Sequence, residues 1–118
     1  MPSFAVTSNF DPNSGGTVTQ LTSKATGVTI NKSVGQITTH NAALAAGAEV
    51  VFRVTNNTVT AVDVPVVAIA SGGTTGSYAA VVGAVAAGSF DIVLTNLSAG
   101  SLSQALVINF KIHKGAIA

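Results

Sequence analysis

The sequence has no cysteine, no tryptophan and only three prolines, and just 8% of its residues are charged. Each shortage excludes something. Without cysteine, neither a disulfide nor a thiolate metal site can hold the fold, so packing must do so. Five Lys and Arg against four Asp and Glu leave a formal net charge of +1. That gives no electrostatic footprint for nucleic acid, whose affinity comes largely from basic side chains on phosphates. No run of 18 or more apolar residues occurs, so no membrane-spanning helix is expected. The first residues, Met-Pro-Ser-Phe-Ala-Val-Thr-Ser, lack the basic and apolar blocks of a secretory signal. The expectation is a chain made in a cytoplasm, with no cofactor and neither nucleic acid nor membrane as partner.

The charged set is Asp11, Lys24, Lys32, Glu49, Arg53, Asp63, Asp91, Lys111 and Lys114, far below the roughly 25–35% that keeps a designed surface soluble. Ala, Val, Thr, Ser and Gly fill most of the remainder. A free monomer of this composition risks edge-to-edge association. One reading is a neutral surface rich in Thr and Ser. The other, which the composition favours, is burial in a stable oligomer or on a larger assembly.

A length of 118 residues suits one domain with a genuine core. Residues 45–56, Ala-Ala-Gly-Ala-Glu-Val-Val-Phe-Arg-Val-Thr-Asn, are echoed by residues 86–96, Ala-Ala-Gly-Ser-Phe-Asp-Ile-Val-Leu-Thr-Asn. Each copy reads as a small-residue glycine turn followed by a strand. Val50, Phe52 and Val54 alternate with Val51, Arg53 and Thr55, the period of two that sends one set inward. Phe90, Ile92 and Leu94 take the inward role in the second copy. Further strands are expected at 17–22, 27–31, 36–39, 63–70, 78–86 and 105–113, with turns at 23–26 and 32–35 and a turn or single helical turn at 42–48. The 63–70 run suits a strand covered on both faces, while Pro65 places it at a sheet edge or beside a bulge. Leu106, Ile108, Phe110 and Ile112 alternate with Val107, Asn109, Lys111 and His113. About eight short strands make an all-β, single-domain antiparallel β-sandwich, jelly-roll-like, over residues 17–118. Residues 1–16 show neither period and read as an extended N-terminal arm, where Phe4 and Phe10 are expected to dock onto something.

Catalytic chemistry finds little to work with. His40 and His113 are too few for a histidine metal cluster and lack H-x-x-x-H spacing. Ser is abundant, but no G-x-S-x-G elbow is present. Glu49 and Asp91 begin the two echoed strands and could lie near each other, yet charges at strand ends act more often as solvated gatekeepers. Residues 72–77, Gly-Gly-Thr-Thr-Gly-Ser, lack the Gly-Lys ending of a phosphate loop. For a sugar, Tyr78 beside this loop is the one candidate stacking platform. Asn31, Asn56 and Asn96 each begin an N-x-[ST] glycosylation pattern, which without a secretory signal reads as chance.

The residues Gly-Thr-Val-Thr-Gln at 16–20, Gly-Val-Thr-Ile-Asn-Lys at 27–32, Gly-Gln-Ile-Thr at 35–38, the two echoed strands, Leu-Ser-Ala-Gly-Ser-Leu-Ser at 97–103 and Ala-Leu-Val-Ile-Asn-Phe at 105–110 carry a resemblance. The chain resembles the small β-rich module of tailed-bacteriophage virion proteins over residues 17–118. It departs from that pattern at Ser33, where relatives often have proline, and near Thr39 and His40, where they have methionine. The resemblance implies a non-enzymatic structural role as a capsid decoration (cement) protein on the virion exterior, made in the host bacterial cytoplasm. Its implied partners are its own copies, as a homotrimer, and the major capsid protein of the head. It equally implies an alternative: a receptor-binding fibre-tip or tail-tip module that recognises host polysaccharide through Thr74, Thr75 and Tyr78. A module standing almost alone behind a short arm favours decoration. The residues expected at capsid or subunit contacts are Phe4, Phe10, Val51, Arg53, Thr55, Val93 and Thr95.

Overall fold

The computed structural model describes residues 15–117 of the chain. Eight strands follow in order: β1 (Gly16–Thr19), β2 (Val28–Thr29), β3 (Val34–Thr38), β4 (Glu49–Thr55), β5 (Val64–Gly72), β6 (Tyr78–Ala86), β7 (Ser89–Asn96) and β8 (Leu106–His113). They form two four-stranded sheets, ordered β1-β3-β8-β5 and β2-β4-β7-β6, packed as a β-sandwich. The first four strands alternate between the sheets, and each crossing reverses the chain direction. Next-but-one strands therefore lie side by side and parallel, β1 with β3 and β2 with β4. Both sheets are consequently mixed: the all-β sandwich of about eight strands expected from sequence is formed, with two parallel pairs among its antiparallel ones.

The core is what alternation dictates. Phe52, Val54, Phe90, Ile92 and Leu94 from one sheet meet Ile37, Leu106, Ile108, Phe110 and Ile112 from the other, all buried. Phe90 and Phe110 stack across the gap with ring centroids 5.8 Å apart and planes tilted by 56°, a geometry that suits their opposed quadrupoles. Each large side chain removed from water contributes about 1.5–3 kcal/mol, and this burial takes the place of a cross-link in a chain without cysteine.

Three expectations about strands change. Val34 and Gly35 belong to β3 rather than to a turn, and residues 20–22 leave β1 for a loop. The 63–70 run is covered on one face only, because in a two-layer sandwich just the inner face of its sheet packs on the other sheet. Pro65, Val67 and Ile69 turn inward while Val64, Val66 and Ala68 are exposed. Both readings of Pro65 apply to this strand, although its bulge falls farther along, between Ile69 and Ser71.

The echoed segments are neighbours. β4 and β7 pair antiparallel, with Val50 opposite Leu94, Phe52 opposite Ile92 and Val54 opposite Phe90 on the core side. At each end of the pair, the asparagine closing one strand is clipped to the glycine turn leading the other. The Gly47 N–H donates to the Asn96 carbonyl and the Asn96 N–H to the Ala48 carbonyl, both at 2.9 Å, while the Asn56 N–H donates to the Gly88 carbonyl at 2.9 Å. Gly47 and Gly88 adopt φ of 72° and 86°, a region where a Cβ is penalised, which explains why both copies carry glycine there.

Both asparagine side chains are fully buried and do the same work. Asn96 Oδ1 accepts from the Ser98 N–H at 2.9 Å and from Ser98 Oγ at 2.7 Å, and its Nδ2 donates to the Leu44 and Gly100 carbonyls at 2.8 and 2.9 Å. Asn56 Oδ1 likewise accepts from the Thr58 N–H and Oγ1, and its Nδ2 donates to the Lys32 carbonyl. The N-x-[ST] pattern at these two sites is thus an Asx turn whose hydroxyl completes the amide's hydrogen bonding. Burial closes both to glycan attachment in the folded chain.

At the end of the sandwich where β8 begins, Gln20 and Lys24 are buried together. Gln20 Nε2 donates to the Lys24 and Thr26 carbonyls, and its Oε1 accepts from the His40 N–H. Lys24 Nζ donates to the His40 carbonyl and to the Gln104 carbonyl at 2.7 Å. Burial pushes the Lys24 ammonium below its ordinary value. This node ties the loop after β1 to the segments before β4 and β8.

At the opposite end, Asp63 is buried and accepts from Lys114 Nζ at 2.5 Å and from the Gly115 and Thr60 N–H groups at 2.9 and 2.8 Å. The bond from Lys114, then that from Gly115, hold its carboxyl well below the usual carboxylate range. The unfolded chain therefore takes up a proton that the folded chain refuses. Its stabilisation is fully present above the ordinary aspartate value of 3.8 and is lost as the pH falls below it. Asp63→Asn should flatten that part of the acid unfolding curve; an unchanged acid limb in circular-dichroism titration would refute the assignment. Gly15 and the 114–117 tail both leave at this end.

Candidate functional site

Register places the outward residues of the echoed strands in rows across the β2-β4-β7-β6 sheet. Val51 lies opposite Val93, which lies opposite Val81 on β6. Val51 is 45% exposed and Val81 55%, so an apolar stripe crosses three strands. In the next row Arg53 faces Asp91, with Nε 3.1 Å from Oδ1. An exposed cross-strand pair of this kind adds at most about 1 kcal/mol; its larger effect here is to cancel the only two charges in the middle of the face. Thr55 is exposed beyond that row, and Thr95, half-buried, sits opposite Glu49. All five sequence-predicted residues of these strands, Val51, Arg53, Thr55, Val93 and Thr95, are brought onto one face. Val81 joins them unforeseen. Its strand reads as small residues throughout, and only the pairing with β7 shows that it extends the stripe.

Next to this face lies an edge. β6 ends one sheet and β5 ends the other, and the two close the same side of the sandwich. Each is nine residues long and neither carries a charge. Edge strands are usually blunted by charge, proline or bulges. Here Pro65 and the Ile69/Ser71 bulge interrupt β5, and a bulge between Val82 and Ala84 interrupts β6. Gly83 sits at that bulge, where a Cβ would come within 2.9 Å of Val93.

The glycine loop between β5 and β6 encloses a cavity of about 460 Å³ lined by residues from Ile69 to Tyr78. Thr74 and Thr75 are exposed there. Tyr78 is not available as a sugar platform: it is only 9% exposed, its ring lies beneath Gly73, and its hydroxyl donates to Gln104 Oε1 at 3.1 Å. Gln104 also accepts from the Thr74 N–H and donates to Thr74 Oγ1. Nothing in the sequence around Gln104 signals that it braces a loop thirty residues away.

The catalytic candidates are dispersed. Glu49 and Asp91 begin antiparallel neighbours, so their starts lie at opposite ends of the ladder. Asp91 pairs with Arg53, four residues along β4 from Glu49, a separation of roughly 13 Å that leaves no shared site. His40 Nδ1 accepts from the Ala42 N–H at 3.0 Å, and His113 is exposed at the end of β8. Among the described residues, no group of three or more His, Cys, Asp or Glu could hold a metal ion, and no helix is long and apolar enough to cross a membrane. Phe4 and Phe10 lie outside the described residues. Comparison of the chain with protein-family models, with curated proteins and with solved structures finds no match.

Proposed function

We propose that this chain is a non-enzymatic structural protein of a phage virion, a capsid decoration protein that self-associates as a trimeric knob and binds the major capsid protein on the head exterior. The observation that carries the reading is the neutral valine-striped face of the β2-β4-β7-β6 sheet beside uncharged edges, with second copies of the chain as its occupant. The sequence resemblance points the same way. Size sets a further requirement. Three strands of seven to nine residues present roughly 350 Å² from strand rise and spacing, about half of the ~800 Å² per partner in a stable interface. The contact must therefore also take in the β6 edge or the N-terminal arm, whose Phe4 and Phe10 we assign to capsid or subunit contacts. Stabilisation of the shell is then mass action: a subunit that binds only the assembled lattice raises the work needed to disassemble it.

The cavity under the glycine loop favours a second reading, a receptor-binding tail tip in which Thr74 and Thr75 meet host polysaccharide without help from the Tyr78 ring. Counting copies per virion by quantitative mass spectrometry separates the two. Hundreds are expected of a decoration protein, and a few dozen or fewer would overturn that role. In the same particles, a chain cut before Gly15, which spares the β1 ladder, should fold and yet fail to bind heads.

A further inference from the structure

Gln104, half-buried in the segment between β7 and β8, is shared by two loops at the end of the sandwich where β8 begins. Its carbonyl accepts from the buried Lys24 ammonium at 2.7 Å. Its side chain serves the glycine loop: Oε1 accepts from the Thr74 N–H and the Tyr78 hydroxyl, both at 3.1 Å, and Nε2 donates to Thr74 Oγ1 at 3.0 Å. Lys24 in turn belongs to the 20–26 loop, closed by the two bonds from Gln20 to the Lys24 and Thr26 carbonyls and by the Ser23 and Thr26 hydroxyls 3.0 Å apart. Packing follows the same line. A Cβ on Gly72 would come within 2.5 Å of the Ala105 carbonyl oxygen, and one on Gly73 within 2.5 Å of Leu106 Cδ2. The glycine loop therefore starts pressed against the two residues after Gln104. Its other end is tied as well, with the Ser77 N–H on the Thr74 carbonyl at 3.0 Å and the Leu97 N–H on the Ser77 carbonyl at 2.8 Å.

We infer that Lys24 is a positioning residue for the glycine loop: through Gln104 it holds residues 73–77 in one preformed conformation, so that this loop and the 20–26 loop loosen together. Strength sets the direction. Hydrogen bonds from a charged donor are roughly twice as strong as neutral ones, and Lys24 makes two of them, to the His40 and Gln104 carbonyls, in a place closed to water. The bonds between Gln104 and Thr74 are neutral and reach an exposed loop. Lys24 is the fixed end of the relay, and the loop is the end it governs. The cavity of about 460 Å³ beneath residues 69–78 thereby keeps its shape before any ligand arrives, which lowers the ordering cost of binding there. The relay requires neither the capsid nor the tail-tip role.

Residue-resolved hydrogen exchange by NMR reads the relay, because local opening shows as faster exchange of named amides. Lys24→Met keeps the aliphatic stem and removes both bonds from Nζ. The Thr74 and Ser77 amides should then gain about tenfold or more in exchange rate over any change in the β4 and β7 core amides, which report global unfolding. Gln104→Ala cuts the relay at its middle. In that background, adding Lys24→Met should change the Ser77 rate by less than about twofold, since residues of one network do not act additively. Coupling is reciprocal, so Gln104→Ala alone, at a half-buried position, should speed exchange of the His40 amide, which donates to Gln20 Oε1 at 3.0 Å. That readout decides the matter if the buried Lys24 site rejects methionine. Unchanged Thr74 and Ser77 amides in Lys24→Met, an equal effect of Lys24→Met in both backgrounds, or an unmoved His40 amide in Gln104→Ala would each overturn the assignment.

Discussion

Replacing Asn96 by alanine should cost about 3 kcal/mol, because it removes four hydrogen bonds, at about 0.5–1.5 kcal/mol each, from a fully buried side chain. For a domain of this size that is a fall in melting temperature of roughly 12 °C. Asn96 is fully buried and its amide uses its whole hydrogen-bonding capacity, two bonds accepted from Ser98 and two donated to Leu44 and Gly100. Alanine leaves the Ser98 N–H without its acceptor, while the Leu44 carbonyl keeps the Leu102 N–H and the Gly100 carbonyl keeps Ser98 Oγ. Asn96→Asp should also destabilise, since a carboxylate cannot donate to the two carbonyls. Asn56→Ala should cost less, because Asn56 donates to one carbonyl, that of Lys32. The control is Asn57→Ala, exposed and one residue away, with an expected change within about 0.5 kcal/mol. Calorimetry or urea unfolding that showed Asn96→Ala no worse than this control would refute the role given to the buried asparagines.

Placing lysine at both Val51 and Val81 should weaken self-association more than about 100-fold, from the 3–5 kcal/mol penalty of an unpaired buried charge. The two valines flank Val93 in one row, so the double variant puts two like charges into the centre of the proposed contact. Both side chains are exposed in the single subunit, and the variant should therefore keep its melting temperature when measured as a monomer. Sedimentation velocity at micromolar concentration reads the outcome. An oligomer of unchanged size would place the interface elsewhere, and a monomeric parent protein would remove the oligomeric reading altogether.

Much of the fold was legible because alternation is a strong signal wherever one face is buried. Phe52, Phe90 and Phe110 were assigned to the core from period alone, and the eight strands fall close to their expected places. What period cannot carry is pairing. Whether β1 meets β3 in parallel depends on how the chain crosses between sheets, and no residue in 16–38 marks that crossing. That Glu49 and Asp91 could lie near each other was open for the same reason; the antiparallel pairing of β4 with β7 sets the two strand starts at opposite ends, which agrees with the reading of both as charges at strand ends. The meaning of the echo lay deeper than its apolar residues. Thr-Asn followed by x-[ST] reads locally as a modification pattern, and only burial shows it to be an Asx turn. In the site, outward Val51, Arg53, Thr55, Val93 and Thr95 followed from period, while Val81 and Gln104 needed register and long-range contact to be seen.

The reciprocal clips at the two ends of the β4 and β7 pair bear on how the domain tolerates change. Gly47 meets Asn96 and Asn56 meets Gly88, so each end of this ladder is a closed joint between distant parts of the chain. The 73–77 loop lies outside both joints and is almost wholly exposed. A peptide grafted there would hang from the scaffold at the end remote from Gly15 and the 114–117 tail, which makes the molecule a display platform with a fixed top and bottom.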